Sequence, residues 1–203
     1  SDGGAMPNHL EASRLLPVAY WGRPSGLACL DRVVAGVWRE GWSHHITRLM
    51  VLANIATLLG VSPRELTDWF WVAYTDAYDW VVEPNVLGMG SFATGPLMTT
   101  KPYLCGAAYI DRMSDFCAGC AFDPKRDCPI SNLYWAFLDR QRGRLESNPR
   151  MRVVMDALRK RPDGRLATDR ATDRWVAETL GRGEVLRPED RPAAGASAAG
   201  GSP

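Results

Sequence analysis

Apolar residues recur at helical spacing from Cys29 to Leu59: Leu30, Val33, Val34, Val37, Trp38, Trp42, Ile46, Leu49, Met50, Ala53, Ala56 and Leu59. This stripe predicts an amphipathic helix that Gly60 stops, with Gly36 and Gly41 as candidate breaks inside it. Ser62-Pro63-Arg64-Glu65 then places Ser at a cap, Pro at the first helical position and Glu at the closing position of a capping box. A second helix is expected from there to about Tyr78. The stretch Glu83 to Tyr103 carries Gly88, Gly90 and Gly95 with Pro84, Pro96 and Pro102, and reads as ordered loop. Ser131 is a candidate cap for a helix reaching Glu146, closed by Asn148-Pro149. Two weaker helical stretches follow, about Met151–Lys160 and Asp169–Leu180. No alternating strand pattern persists and no repeat is visible. The expected class is all-α, with one helical domain over residues 8–186, an N-terminal extension at 1–7 and a disordered tail at 187–203, where composition collapses into Pro, Ala, Gly and Ser.

Composition narrows the classes. A length of 203 residues suffices for one buried core. Net charge is +1, so no global polyanion affinity is implied, but the charge is uneven. From Asp139 to Arg165 nine Lys/Arg face four Asp/Glu, whereas Arg64 to Gly90 holds one Arg against five acids. The basic stripe can meet phosphates or be a solvated helix face. No apolar run approaches a membrane span and no signal peptide is visible, so a cytoplasmic, membrane-free protein is expected. The opening Ser1-Asp2-Gly3-Gly4-Ala5-Met6 does not look like a natural start, and the chain is expected to be a processed product or fragment.

Five cysteines are too few and too unevenly spaced for a secreted disulfide framework. Cys117, Cys120 and Cys128 lie within twelve residues, and a helix-borne Cys29 can complete a four-sulfur site. Spacing alone does not choose between zinc and an iron–sulfur cluster, since both accept four thiolates. Cys128-Pro129 tilts the choice towards iron. The plain alternative is a set of buried thiols or one disulfide.

A second constellation sits on the first two helices. His45 and Arg48 are three residues apart on one face, and Asp76 offers Arg48 a carboxylate partner. Such a pair serves folding, or else frames a pocket where Arg and Asp grip a polar heterocycle beside a proton-exchanging histidine. The Gly-rich run from Asn85 to Pro96 lets backbone approach a ligand closely, though it is neither a Walker nor a Rossmann loop.

These segments carry a resemblance. HHITRLM (His44–Met50), YTDAYDWVVEPNVLGMGSFATG (Tyr74–Gly95), TKPY (Thr100–Tyr103), YIDRMSDFCAGC (Tyr109–Cys120), CPISNLYWAFL (Cys128–Leu138) and LPVAYWGRPSGLACL (Leu16–Leu30) are similar to the iron–sulfur bacterial cryptochromes and photolyases. The similarity extends over roughly residues 8–151 in the family's order. It implies the C-terminal part of the helical flavin-binding domain, with a 4Fe-4S cluster held by Cys29, Cys117, Cys120 and Cys128 and with Cys105 an ordinary thiol. It implies that His45 is the lesion-facing catalytic histidine, that Arg48, Asn54, Asp76 and Asn85 contact FAD, and that Trp21 and Trp69, or Trp71 in its place, relay electrons to the flavin. The implied activity is light-driven repair of pyrimidine photoproducts in DNA, the implied lesion being extruded from the base stack. The alternatives are a cryptochrome-like blue-light photoreceptor, or an iron–sulfur nucleic-acid-binding module without flavin that resembles the cluster domain of the large primase subunit. Family members carry an N-terminal antenna domain and further flavin-binding residues that this sequence lacks, so weak flavin binding by this chain alone is expected. Val82, with Glu83 one position later, and Thr94-Gly95-Pro96 depart from acidic positions of some relatives.

Overall fold

The computed structural model describes residues 6–193, so the expected segments at 1–5 and 194–203 lie outside the described residues. The chain winds through α1 (Ala28–Glu40), α2 (His45–Thr47), a π-helical segment (Arg48–Ala53), α3 (Asn54–Leu59) and α4 (Pro63–Ala73). It continues through α5 (Asp79–Val82), a second π-helical segment (Glu83–Gly90), α6 (Ala107–Met113), α7 (Pro129–Arg140), α8 (Arg142–Leu145), α9 (Arg152–Arg159) and α10 (Asp163–Gly181). Among the described residues there is no strand, only an isolated bridge between Arg14 and Val61.

The long apolar stripe becomes two helical rods. α1 buries Cys29, Leu30, Val33, Val34 and Val37 and ends at Gly41, whose φ of 63° is left-handed. A Cβ there would come within 2.6 Å of Thr75, so glycine is needed both for the turn and for the contact. Gly36 does not break the helix. The second rod runs unbroken from α2 through the π segment into α3, where all six residues from Asn54 to Leu59 are buried. Each fully buried leucine there is worth about 1.5–3 kcal/mol over an exposed one.

A helix end in the core leaves carbonyls that need donors. Arg14 Nη1 donates to Leu59 O at 2.6 Å and Arg140 Nη2 to Leu58 O at 2.7 Å, and both guanidinium groups share Asp173. Two cations thus sit at the negative end of α3, the favourable side of the helix dipole.

Several sequence expectations are corrected. α4 stops at Ala73 rather than Tyr78 because Tyr74 turns extended. Ser62 makes no side-chain cap bond, and Glu65 accepts from Leu16 N–H instead of closing a capping box. The stretch expected to be loop after Glu83 is helical to Gly90: it continues α5 without a break, with Pro84 inside the run. Cys128, not Ser131, is the N-cap of α7, and Ser131 Oγ accepts from Ala107 N–H. The rod expected to reach Glu146 divides at Gln141. α10 begins at Asp163, ahead of the expected Asp169. The segment expected as tail from 187 forms a 3-10 turn at Pro188–Asp190, and Arg191 Nη2 donates to Asn132 Oδ1 at 2.9 Å.

Candidate functional site

An open cavity of about 290 Å3 lies between the second rod and the segment from α4 to the second π helix. Both π-helical segments line it. Such segments carry one residue more per turn than an α-helix and recur at functional sites.

Arg48 dominates its wall. Its Nη1 and Nη2 donate to Asp76 Oδ1 and Oδ2 at 2.9 and 2.8 Å, a two-pronged pair, and its Nε donates to Ser43 O at 2.8 Å. The guanidinium also lies over the Tyr74 ring, 4.2 Å from its centroid. Every direction of the planar fork is therefore constrained, which lysine could not reproduce. Tyr74 packs flat on Phe70 at 5.0 Å and its hydroxyl meets Ser43 Oγ at 2.8 Å. Burial pushes the Tyr74 phenol up to about 12, with Arg48 and the Ser43 bond pulling the other way.

The two adjacent histidines divide their roles. His44 is the N-cap of α2: its Nδ1 accepts from Ile46 N–H at 3.1 Å. His45 is exposed and lines the cavity beside Arg48. Asn85 also lines it, with its amide donating to Val81 O at 2.7 Å. Asn54 does not. It is fully buried, accepts from Cys105 N–H at 3.0 Å and donates to Cys105 O at 3.1 Å. With both ends of its amide committed to holding the backbone before α6, Asn54 leaves the set of ligand-facing candidates.

An aromatic file leads away from the cavity. Tyr74 meets Trp69 at 6.0 Å, Trp69 meets Trp38 at 6.4 Å, and Trp38 stacks on Trp21 at 5.7 Å. Exposure rises along it, from 1% at Trp69 to 42% at Trp38 and 52% at Trp21. Trp38 went unrecognised in the sequence because it fitted the apolar stripe of α1. Trp71, the alternative to Trp69, lies instead under the Arg64 guanidinium at 4.5 Å.

The cysteines form a separate region. Cys29 is in the first turn of α1, Cys117 in the 3-10 turn Phe116–Gly119, Cys120 just after it and Cys128 at the N-cap of α7; all are free thiols. Arg32 of α1 holds the turn, lying 5.2 Å over Phe116 and pairing with Asp115 at 3.4 Å. Burial chiefly, then the nearness of Cys128, Cys120 and Cys117, pushes the Cys29 thiol up. Burial likewise pushes Cys128 up to about 12, with Cys120 and Cys117 adding to it. The four sulfurs thus share one neighbourhood. Among the described residues, no group of three or more His, Cys, Asp or Glu side chains is arranged to hold a metal ion. Cys105 stands apart against Met50 O and Asn54.

The basic stripe is largely engaged within the fold. Arg140 pairs with Asp173, Arg142 with Asp139, Arg144 with Glu11, Arg159 with Glu146 and Asp156, and Arg161 with Asp169. Among the described residues, no helix is long and apolar enough to cross a membrane.

No protein-family model matches the chain. It is 43% identical over 149 residues to a (6-4) photolyase of Agrobacterium fabrum, an overlap covering 71% of this chain and 29% of that protein. It is also 39% identical over 66 residues to an uncharacterized protein of Acanthamoeba polyphaga mimivirus, covering 32% of this chain and 54% of the viral one. The chain therefore spans less than a third of the photolyase's length. The match supports the resemblance to the photolyase and cryptochrome family, and the helical fold is consistent with it.

Proposed function

We propose that this chain supplies part of the flavin pocket, and a 4Fe-4S site, of a photolyase that repairs pyrimidine photoproducts in DNA, of the (6-4) kind. The observation that carries this reading is the cavity in which Arg48, locked by Asp76 and Ser43 O, stands beside the exposed His45. A flavin bound there supplies light-driven electron transfer. The chain's residues supply position and protons. Arg48 presents a fixed cationic edge, which suits a polar heterocycle because little reorganisation is needed when it binds. The exposed imidazole of His45 is suited to hand a proton to a substrate at the cavity mouth. Trp69, Trp38 and Trp21 offer successive oxidisable rings between the pocket wall and the surface.

The donor chemistry suits a cluster: Cys29, Cys117, Cys120 and Cys128 are free thiols, and iron–sulfur clusters take four thiolates. The free thiols also favour a reducing, cytoplasmic setting.

The test is a protein purified without oxygen in a form long enough to retain flavin. Flavin bands over a broad iron–sulfur shoulder, with iron and acid-labile sulfide in equal amounts, are expected. Blue light should then repair (6-4) lesions in an oligonucleotide. Stoichiometric zinc in colourless protein would overturn the cluster; photoreduction without repair of any lesion would convert the reading to a photoreceptor.

A further inference from the structure

We propose that residues 184–191, following α10, form a strap over the turn that leads into Cys29 and over the first turns of α7, and that release of this strap is the route by which reagents reach the buried thiols of Cys29 and Cys128. The proposal rests on the cysteine site of the preceding section only in that Cys29 and Cys128 are buried thiols on the two elements the strap touches.

The strap latches onto two cysteine-bearing elements. At its first end Leu186, buried to 2%, donates its N–H to Ser25 O at 2.9 Å. Ser25 opens the turn that leads into Cys29: its N–H and hydroxyl donate to Asp31 at 2.8 and 2.6 Å, and its Oγ accepts from Leu27 N–H. Gly26 lies so close under the strap that a Cβ, built at its φ of +87°, would sit 2.2 Å from Leu186 O. No side chain fits between strap and turn.

At its second end Arg191 donates to Asn132 Oδ1 at 2.9 Å, four residues beyond Cys128 on α7. Asn132 in turn donates to Asp169 Oδ1 at 2.8 Å, and Asp169, fully buried, is gripped by Arg161 at 2.5 and 2.9 Å. Ahead of the strap, Trp175 of α10 meets Phe122 edge-on at 6.5 Å, in the loop joining Cys120 to Cys128. The C-terminal elements therefore touch the leading turn of α1, the loop between cysteines and the first turns of α7.

The latches differ in strength from the rest of the fold. A few contacts hold residues 184–191, whereas α10 packs along the length of α7. Segments with few buried contacts open locally at far lower cost than the whole molecule. The strap is thus positioned to open while the core stays closed.

Cys105 provides an internal reference, being buried in the core against Asn54 and Met50 and away from the strap. The experiment follows alkylation of each cysteine by iodoacetamide in the metal-free full chain, read by peptide mass spectrometry over time. Arg191→Ala should speed modification of Cys29 and Cys128 about tenfold, the effect of one lost charged hydrogen bond on a local opening equilibrium. A chain ending at Gly183 should speed it further, and Cys105 should react at the wild-type rate in both. Parallel acceleration of Cys105 would mean global loosening and overturn the proposal, as would unchanged rates at Cys29 and Cys128. Whether the wild-type protein holds iron is read separately from metal content, so a failure of the cluster assignment does not masquerade as a failure of the strap.

Discussion

Trp38 and Trp69 donate their indole N–H groups to the same acceptor, the carbonyl of Tyr20, each at 2.9 Å. One carbonyl thus fixes the two rings that join the buried and exposed ends of the aromatic file. In a flavin-loaded form, Trp38→Phe should slow light-driven flavin photoreduction at least tenfold, seen by transient absorption. Trp71→Phe should leave it unchanged. An undiminished rate in the Trp38 variant would remove Trp38 from the path.

The neighbouring histidines should separate cleanly in stability. His44 caps α2, so His44→Ala should cost about 0.5–2 kcal/mol in urea unfolding. His45 is exposed, and His45→Asn should change stability by less than about 0.5 kcal/mol. In a repair-competent longer form His45→Asn should keep flavin and cluster yet abolish (6-4) repair. A variant that unfolds or sheds its cofactors would make His45 structural.

The isolated chain should bind flavin weakly. Among the described cavity-lining residues the guanidinium of Arg48 is already engaged by Asp76, and no other Lys or Arg faces the space to hold phosphates. Ultrafiltration should recover far less than one flavin per chain, and a form extended to the length of the photolyase relative should raise this towards one. Asp76→Asn should weaken binding in that form through loss of the fork, with a stability cost of about 1 kcal/mol or less because Asp76 is partly solvated.

Cysteine substitutions should split into two groups. Cys29→Ser or Cys120→Ser should give colourless, poorly soluble protein, because metal-site binding energy is folding energy. Cys105→Ser should keep the visible chromophore. Loss of colour in all three would break the assignment of four ligands.

Alkali should destabilise the metal-free chain. Burial pushes the Cys105 thiol from 9.0 to about 12, so the unfolded chain deprotonates first and unfolding releases a proton. The stability of the neutral thiol is complete below pH 9 and is lost as pH rises from there towards 12. Urea midpoints should fall across that window, and less steeply in Cys105→Ala.

The sequence carried the helical class through its apolar periodicity, and the pairing of Arg48 with Asp76 through their complementary charge. It did not carry the end of α4. Tyr74 leaves the helix because its hydroxyl meets Ser43 and Asp76 must reach Arg48, both contacts with a distant element. The helix over Glu83–Gly90 was hidden by Pro84, Gly88 and Gly90, whose breaker signals are overridden by packing against α4. The resemblance implied a flavin contact for Asn54, whereas its amide is bonded to the Cys105 backbone 51 positions away.

The π-helical segment Arg48–Ala53 makes the number of residues in the second rod a functional quantity. A π turn arises when one residue is inserted into an α-helix, and each residue of an α-helix advances by about 100°. The wide turn absorbs that extra residue, so Arg48 keeps its phase relative to α3, whose far end is pinned by Arg14 and Arg140. Deleting one position between Leu49 and Ala53 would let the rod relax to regular α geometry with the fork still facing Asp76, while the pocket wall lost one residue of its lining. A single deletion in this short stretch is therefore a means of reshaping the pocket without turning its arginine away or disturbing the core.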